Sequence, residues 1–271
     1  MRRRKIYCSR MTAWRETVLG RTNRTVGRMG LACSYGADDR CVDMAFDHGV
    51  NYFYWGSFRR GDFGAGLRRL KRVRERILIT IQSYSRVAGL LGWSLERALR
   101  KLEMDYADVL LLGLWNKPVR PAILDAARRL RERGLVRYLA VSTHHRRLAP
   151  ELAVDGDIDI LHMRYNAIHR GAECEIFPLL PARGMGPGIV SFTATSWGQL
   201  LTPAKVPTGD RVPTAADCYR FVLSNPAVDI CLSGPKNAEQ FQAALDALDR
   251  GPMDSDEMAW MGRVGKAKYG K

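Results

Sequence analysis

Short apolar runs rich in β-branched and aromatic residues alternate along this chain with longer stretches in which apolar positions recur three and four apart. The first pattern is that of a buried strand and the second that of an amphipathic helix, so their alternation predicts βαβ units. Eight runs read as strands: Met29–Cys33, Val50–Trp55, Ile77–Ile81, Val109–Gly113, Tyr138–Ser142, Ile158–Met163, Ile189–Thr193 and Asp229–Leu232. Helical spacing follows near Asp39–His48, Gly64–Arg72, Ser94–Leu102, Pro121–Arg133, Ala149–Val154, Cys174–Ala182, Ala215–Ser224 and Asn237–Leu248. In the third of these, Ser94 is expected to cap a helix whose Leu95, Ala98, Leu99 and Leu102 form one apolar stripe. The run Val109-Leu110-Leu111-Leu112 is apolar at every position, as a parallel strand covered on both faces requires.

Parallel strands joined by helical crossovers form an open sheet or a closed barrel. Eight full units favour closure, and no G-x-G-x-x-G turn of the open dinucleotide-binding sheet follows Cys33. The expected fold is therefore α/β, a (β/α)8 TIM barrel in a single domain. Residues 1–12 precede the pattern and are expected to be a flexible tail, with the barrel over residues 13–271.

Composition narrows the function classes. With 271 residues, 46% hydrophobic and 26% charged, the chain can bury a large core without staples. Cys8, Cys33, Cys41, Cys174, Cys218 and Cys231 show no C-x-x-C pair and no ligand spacing, so reduced thiols and no metal are expected. No apolar run reaches the roughly 20 residues of a membrane span, and Met1-Arg2-Arg3-Arg4-Lys5 does not lead into a signal-peptide core. A cytoplasmic protein with a small-molecule substrate and no membrane contact is expected. The net charge of +15 would attract polyanions. Its arginines, however, are spread in pairs such as Arg68-Arg69, Arg128-Arg129 and Arg146-Arg147 rather than gathered in one stripe, which places nucleic acid last among the partners.

Several phrases lie in one register along the chain. Leu19-Gly20-Arg21-Thr22 with Val26, Asp47-His48-Gly49-Val50-Asn51-Tyr52-Phe53, Asp105-Tyr106-Ala107-Asp108, Arg133-Gly134-Leu135-Val136-Arg137 with Val141-Ser142, Arg164-Tyr165-Asn166, Gly198-Gln199-Leu200-Leu201 and Ser233-Gly234-Pro235-Lys236-Asn237 run from the start of the pattern to about residue 250. Together they resemble the aldo-keto reductase family. The resemblance implies NADP(H)-dependent carbonyl reduction at the C-terminal end of the barrel, by a tyrosine acid tuned by a lysine–aspartate pair and assisted by a histidine. The same register puts Tyr54, Arg59, Ile81 and Gly113 where the family has aspartate, tyrosine, lysine and histidine.

Replacement catalytic groups are sought at the same end. Tyr54 offers a hydroxyl, His162 stands where the resemblance has a nicotinamide-binding glutamine, and His144 follows the fifth strand; histidine titrates near neutrality. Trp55 and Trp115 are candidate pocket walls, and Arg59 a candidate carboxylate or phosphate clamp. The resemblance further implies cofactor contacts from Ser142, from Phe192 as the nicotinamide-stacking ring, and from Gly234, Lys236, Asn237 and Gln240 around a helix start able to receive a phosphate. Three readings remain: an NADP(H)-dependent oxidoreductase with a rebuilt site, a catalytically silent NADP(H)-binding barrel acting as sensor or regulatory partner, and a non-redox cyclase or isomerase reusing the pocket.

Overall fold

The computed structural model describes residues 14–56 and 61–269; the expected tail at residues 1–12 lies outside them. A small antiparallel hairpin, β1 (Glu16–Val18) and β2 (Thr25–Gly27), opens the described chain. Eight parallel strands then close into a barrel: β3 (Met29–Ala32), β4 (Tyr52–Trp55), β5 (Leu78–Gln82), β6 (Ala107–Leu114), β7 (Val136–Thr143), β8 (Ile160–Arg164), β9 (Gly188–Phe192) and β10 (Ile230–Ser233), with β10 pairing β3. All eight expected strands are present, shifted by at most two residues at most ends.

The helices between them are α1 (Asp39–Asp47), α2 (Gly61–Arg69), α3 (Ala88–Leu102), α4 (Pro121–Glu132), α5 (Leu148–Val154), α6 (Ala172–Glu175), α7 (Ala215–Ser224) and α8 (Ala238–Arg250). The expected start of α3 is corrected: the helix begins six residues before Ser94, which lies inside it, and Val87 stands at the cap position without a side-chain bond. The long helix expected at Cys174–Ala182 is also corrected, since α6 is one turn and a 3-10 turn at Phe177–Leu179 follows, broken by Pro178 and Pro181. A further helix, α9 (Ser255–Tyr269), was not legible as part of the repeating pattern. None of the described helices is long and apolar enough to cross a membrane.

The strand period of two divides the apolar residues into two clusters. Met29, Leu31, Phe53, Trp55, Ile79, Ile81, Leu110 and Leu139 face outward into the layer shared with the helices. Tyr52, Leu78, Val109, Ala140, Ile160, Val190 and Ile230 face inward and fill the lumen, so it is a packed core. The hairpin drives Leu19 into the lumen floor, where a Cβ on Gly188 would lie 2.4 Å from its side chain.

One device recurs at the floor. Carboxamide or carboxylate oxygens of Asn51, Asp108, Asp159 and Asp229 accept backbone N–H bonds from Gly27, Ile79, Leu139 and Ile189 at 3.0, 2.8, 2.9 and 2.9 Å. Each residue sits at or just before an even-numbered strand and grips the segment leading into, or lying within, the odd-numbered strand beside it. Burial pushes the three aspartate carboxyls up from their usual range, opposed by Arg74 and Arg137 around Asp108, Arg131 near Asp159 and Arg183 beside Asp229.

Candidate functional site

Barrel enzymes place their chemistry where the strands end, and here the inward positions turn polar at that level. Tyr54 on β4 and Gln82 on β5 are brought together, the tyrosine hydroxyl donating to Gln82 Oε1. Ile81, expected at the lysine position, faces the helical layer and is fully buried there. The inward residue on that strand is Gln82, so the expectation is corrected by the parity of the strand. A neutral tyrosine–glutamine bond stands where the resemblance implies an aspartate–lysine ion pair.

Gly113 lies beside this pair, since a Cβ on it would meet Ser83 O at 3.1 Å and Gln82 Nε2 at 3.6 Å, and its φ of +84° favours glycine. Gly56 passes so close under the Tyr54 ring that a Cβ there would lie 2.3 Å from it. Burial raises the Tyr54 hydroxyl pKa well above the ordinary tyrosine value, with Tyr84 adding to the effect. A tyrosine with a raised pKa and, among the described residues, no ammonium bonded to it is a weak proton donor at neutral pH.

His162 is 2% exposed and lies beneath this layer, its Nε2 2.9 Å from the Tyr52 hydroxyl. Burial lowers its pKa to about 3, so the ring is neutral and already engaged. The structure thus places it as a partner of Tyr52 inside the barrel, away from the open mouth where a substitute acid is needed. His144 does reach the mouth: it is exposed, and its ring stands edge-on to Phe192 at 5.8 Å. Burial of part of the ring, then the nearby Arg164, lower its pKa.

Phe192 and Ser142 are half-buried, both directed to the lumen by strand parity. Trp55 is corrected as a pocket wall, since it faces the helical layer, whereas Trp115 lies buried just past the end of β6. Trp55 packs outward against Gly64 of α2, and Trp115 donates from Nε1 to Leu112 O at 2.8 Å under the Arg86 guanidinium. Arg59 lies outside the described residues.

After β10, Asn237 caps α8 by accepting from Gln240 N at 2.9 Å, while Gln240 Oε1 accepts from Lys236 N at 3.0 Å. That exchange satisfies two of the amides expected to face a phosphate. The Lys236 side chain is exposed, and the Tyr35 ring covers Gly234 so closely that a Cβ there would meet it at 2.7 Å.

The loop after β9 carries a signal that the sequence did not announce. Thr193, Ser196 and Trp197 all adopt left-handed φ of 61°, 50° and 54°. Each costs about 1–3 kcal/mol and persists where the surroundings impose it. Ser196 is fully buried, and among the described residues its Oγ has no hydrogen-bond partner. Asn166, also fully buried, ties this loop to the end of β8 by donating to Thr193 O at 2.8 Å. The last turn of α9 secures the other side, Lys268 Nζ donating to Thr202 O at 2.8 Å and Ala204 O at 2.6 Å.

The strands close into a parallel barrel whose polar inward side chains collect at one mouth. The family model described as "Aldo/keto reductase family" matches residues 91–211, which bears out the resemblance over the middle of the chain. Among solved structures, an aldo-keto reductase from Bacillus halodurans is similar in its holo form at a TM-score of 0.78 and 20% identity, over 93% of this chain and 97% of that one. Its apo form gives 0.76 at the same identity, over 93% and 96%. An aldo/keto reductase from Klebsiella pneumoniae, in complex with NADP and acetate, gives 0.74 at 18% identity over 92% and 95%. At these identities the likeness establishes the fold.

Proposed function

We propose that this chain is a divergent aldo-keto reductase and an NADP(H)-dependent oxidoreductase with a rebuilt site, acting on a carbonyl or related small molecule. The observation that carries this reading is the loop after β9. Its left-handed backbone and the buried Ser196 hydroxyl, unpartnered among the described residues, directly follow Phe192 in the chain, where the resemblance implies the cofactor to run. Strained backbone and an unsatisfied buried hydroxyl are features that binding sites retain. The residues present fit such a cofactor in part: the half-buried Phe192 ring offers a stacking face and the exposed Lys236 a cation, while Tyr35 narrows the turn at Gly234.

NADPH supplies the hydride when bound. The chain's own part is to hold Phe192, Ser142 and the tied loop in place, and to present His144 from the β7 end as an accessible titrating group beside Phe192.

A second reading, the catalytically silent NADP(H)-binding barrel, is favoured by the Tyr54–Gln82 pair, which leaves no tuned tyrosine acid among the described residues. One experiment separates the two. Quenching of intrinsic fluorescence by NADPH, lost in Phe192→Ala, is expected under both; turnover on a panel of carbonyls, lost in His144→Ala, is expected only under the first. No NADPH binding at millimolar concentration would remove both.

A further inference from the structure

We propose that the mouth holds a site for a compact oxyanion, a carboxylate or phosphate group, built around Arg164 with His144 and His169 beside it. The proposal deepens the functional reading, for which the anionic group would belong to the substrate, but the anion site itself stands without a cofactor.

Arg164 is the last residue of β8. It lies two positions beyond His162 and so on the same inward face, and it pairs in register with Phe192. It is half-buried, and among the described residues its guanidinium makes no ion pair and no hydrogen bond. Such a group is uncommon in a chain where most buried or half-buried arginines are paired. Its cationic neighbours are not equivalent to it: Arg146 is bound to Glu175 at 2.8 Å and Arg170 to Glu173 at 2.7 Å. Glu175 and Glu173 are therefore engaged by other arginines, and among the described residues Arg164 has no carboxylate partner.

Around it, His144, His145 and His169 line one cleft with Arg146, Arg164 and Gly171, the His145 Nδ1 accepting from Leu148 N at 3.2 Å. His169 is held by Asn166, whose Oδ1 lies 3.2 Å from its Nδ1, which leaves Nε2 as the free ring nitrogen; the Tyr269 ring stands edge-on to it from α9. The cleft encloses about 30 Å³, the share of one water molecule. That space seats one oxygen of the head group and leaves the rest of the group and its carrier over the open mouth. A planar guanidinium matches the two oxygens of such a group, and two imidazoles supply further donors when protonated. Burial first, and then Arg164, hold both histidines toward the neutral form, with His144 and Arg146 adding to the effect on His169. An anion seated on Arg164 cancels part of that repulsion, so binding draws protons onto the ring nitrogens.

The test is calorimetric titration with sulfate, whose own charge is constant from pH 6 to 8, and with succinate. The proteins compared are the parent chain, Arg164→Met, and Arg129→Met, which removes the same charge from an exposed position of α4. Saturable binding is expected, tighter at pH 6 than at pH 8, weakened at least tenfold in Arg164→Met and unchanged in Arg129→Met, with matching thermal melts. Equal binding in Arg164→Met, or equal loss in both variants, overturns the site. NADPH titration of the same proteins separates this proposal from the functional reading. If Arg164→Met loses sulfate but keeps NADPH, the anionic group is not the nucleotide's, as proposed. Loss of both, with sulfate competing against NADPH, would assign Arg164 to the nucleotide phosphates and overturn the proposal. A parent chain that binds sulfate at Arg164 but no NADPH sustains the anion site and removes the functional reading alone.

Discussion

His162 shows how burial decides a residue's role. In a fully buried place the imidazole is disfavoured as a cation, and its pKa falls from the ordinary 6.5 to about 3. Below pH 6.5 the unfolded chain takes up a proton that the folded one refuses, so stability is complete above that value and is lost as pH falls toward 3. The contribution can reach several kcal/mol, at about 1.4 kcal/mol per pH unit. His162→Gln keeps a partner for Tyr52 and cannot charge. Urea unfolding between pH 7 and pH 4 is expected to show a shallower decline for this variant than for the parent. Tyr54 makes the complementary case. Because its hydroxyl is bound to Gln82, Tyr54→Phe is expected to leave NADPH affinity within about twofold and to cost roughly 0.5–1.5 kcal/mol, measured by quenching and denaturation. The reading of Tyr54, Arg164 and Gln82 was partly open in the sequence, since residues two apart on a strand share a face. Assigning the lysine position to Ile81 ignored that parity. Nothing in the residue order marks Ser196, because an orphaned hydroxyl is a property of its surroundings.

At the scale of elements, strands were legible because burial on both faces leaves long apolar runs, whereas helix ends depend on caps and local turns. The start of α3 illustrates this, with Ser94 a good capping residue by type yet interior by position. Helix α9 escaped because its apolar positions are sparse and its role is to close other segments rather than the barrel. It approaches so near that a Cβ on Gly265 would lie 1.9 Å from Ala167 O, between β8 and α6. Gly265→Ala must therefore lift the helix from the mouth loops. A loss of about 1–3 kcal/mol is expected in thermal melts, with new proteolytic cleavage near Thr202–Lys205, where Lys268 no longer anchors the chain.

For the whole molecule, composition and periodicity together carried the barrel, and the in-register phrases carried its likeness to the aldo-keto reductases. The chemistry was less legible, since it depends on which residues meet across strands distant in sequence. The floor and the mouth also differ in what they contribute. Removing Asp108 by Asp108→Ala takes the carboxylate from Arg74, leaves Arg137 with Glu75 alone and strands Ile79 N without an acceptor, an expected cost of about 3–5 kcal/mol by urea denaturation. Arg164→Met at the other end is expected to change stability by no more than about 0.5 kcal/mol.

The four grips at Asn51, Asp108, Asp159 and Asp229 divide the barrel into quarters, each a pair of strands fastened at its base. Cohesion is thereby stored at the end remote from any ligand. Side chains at the rim can therefore be exchanged at small cost to foldedness, while the floor keeps the vessel closed.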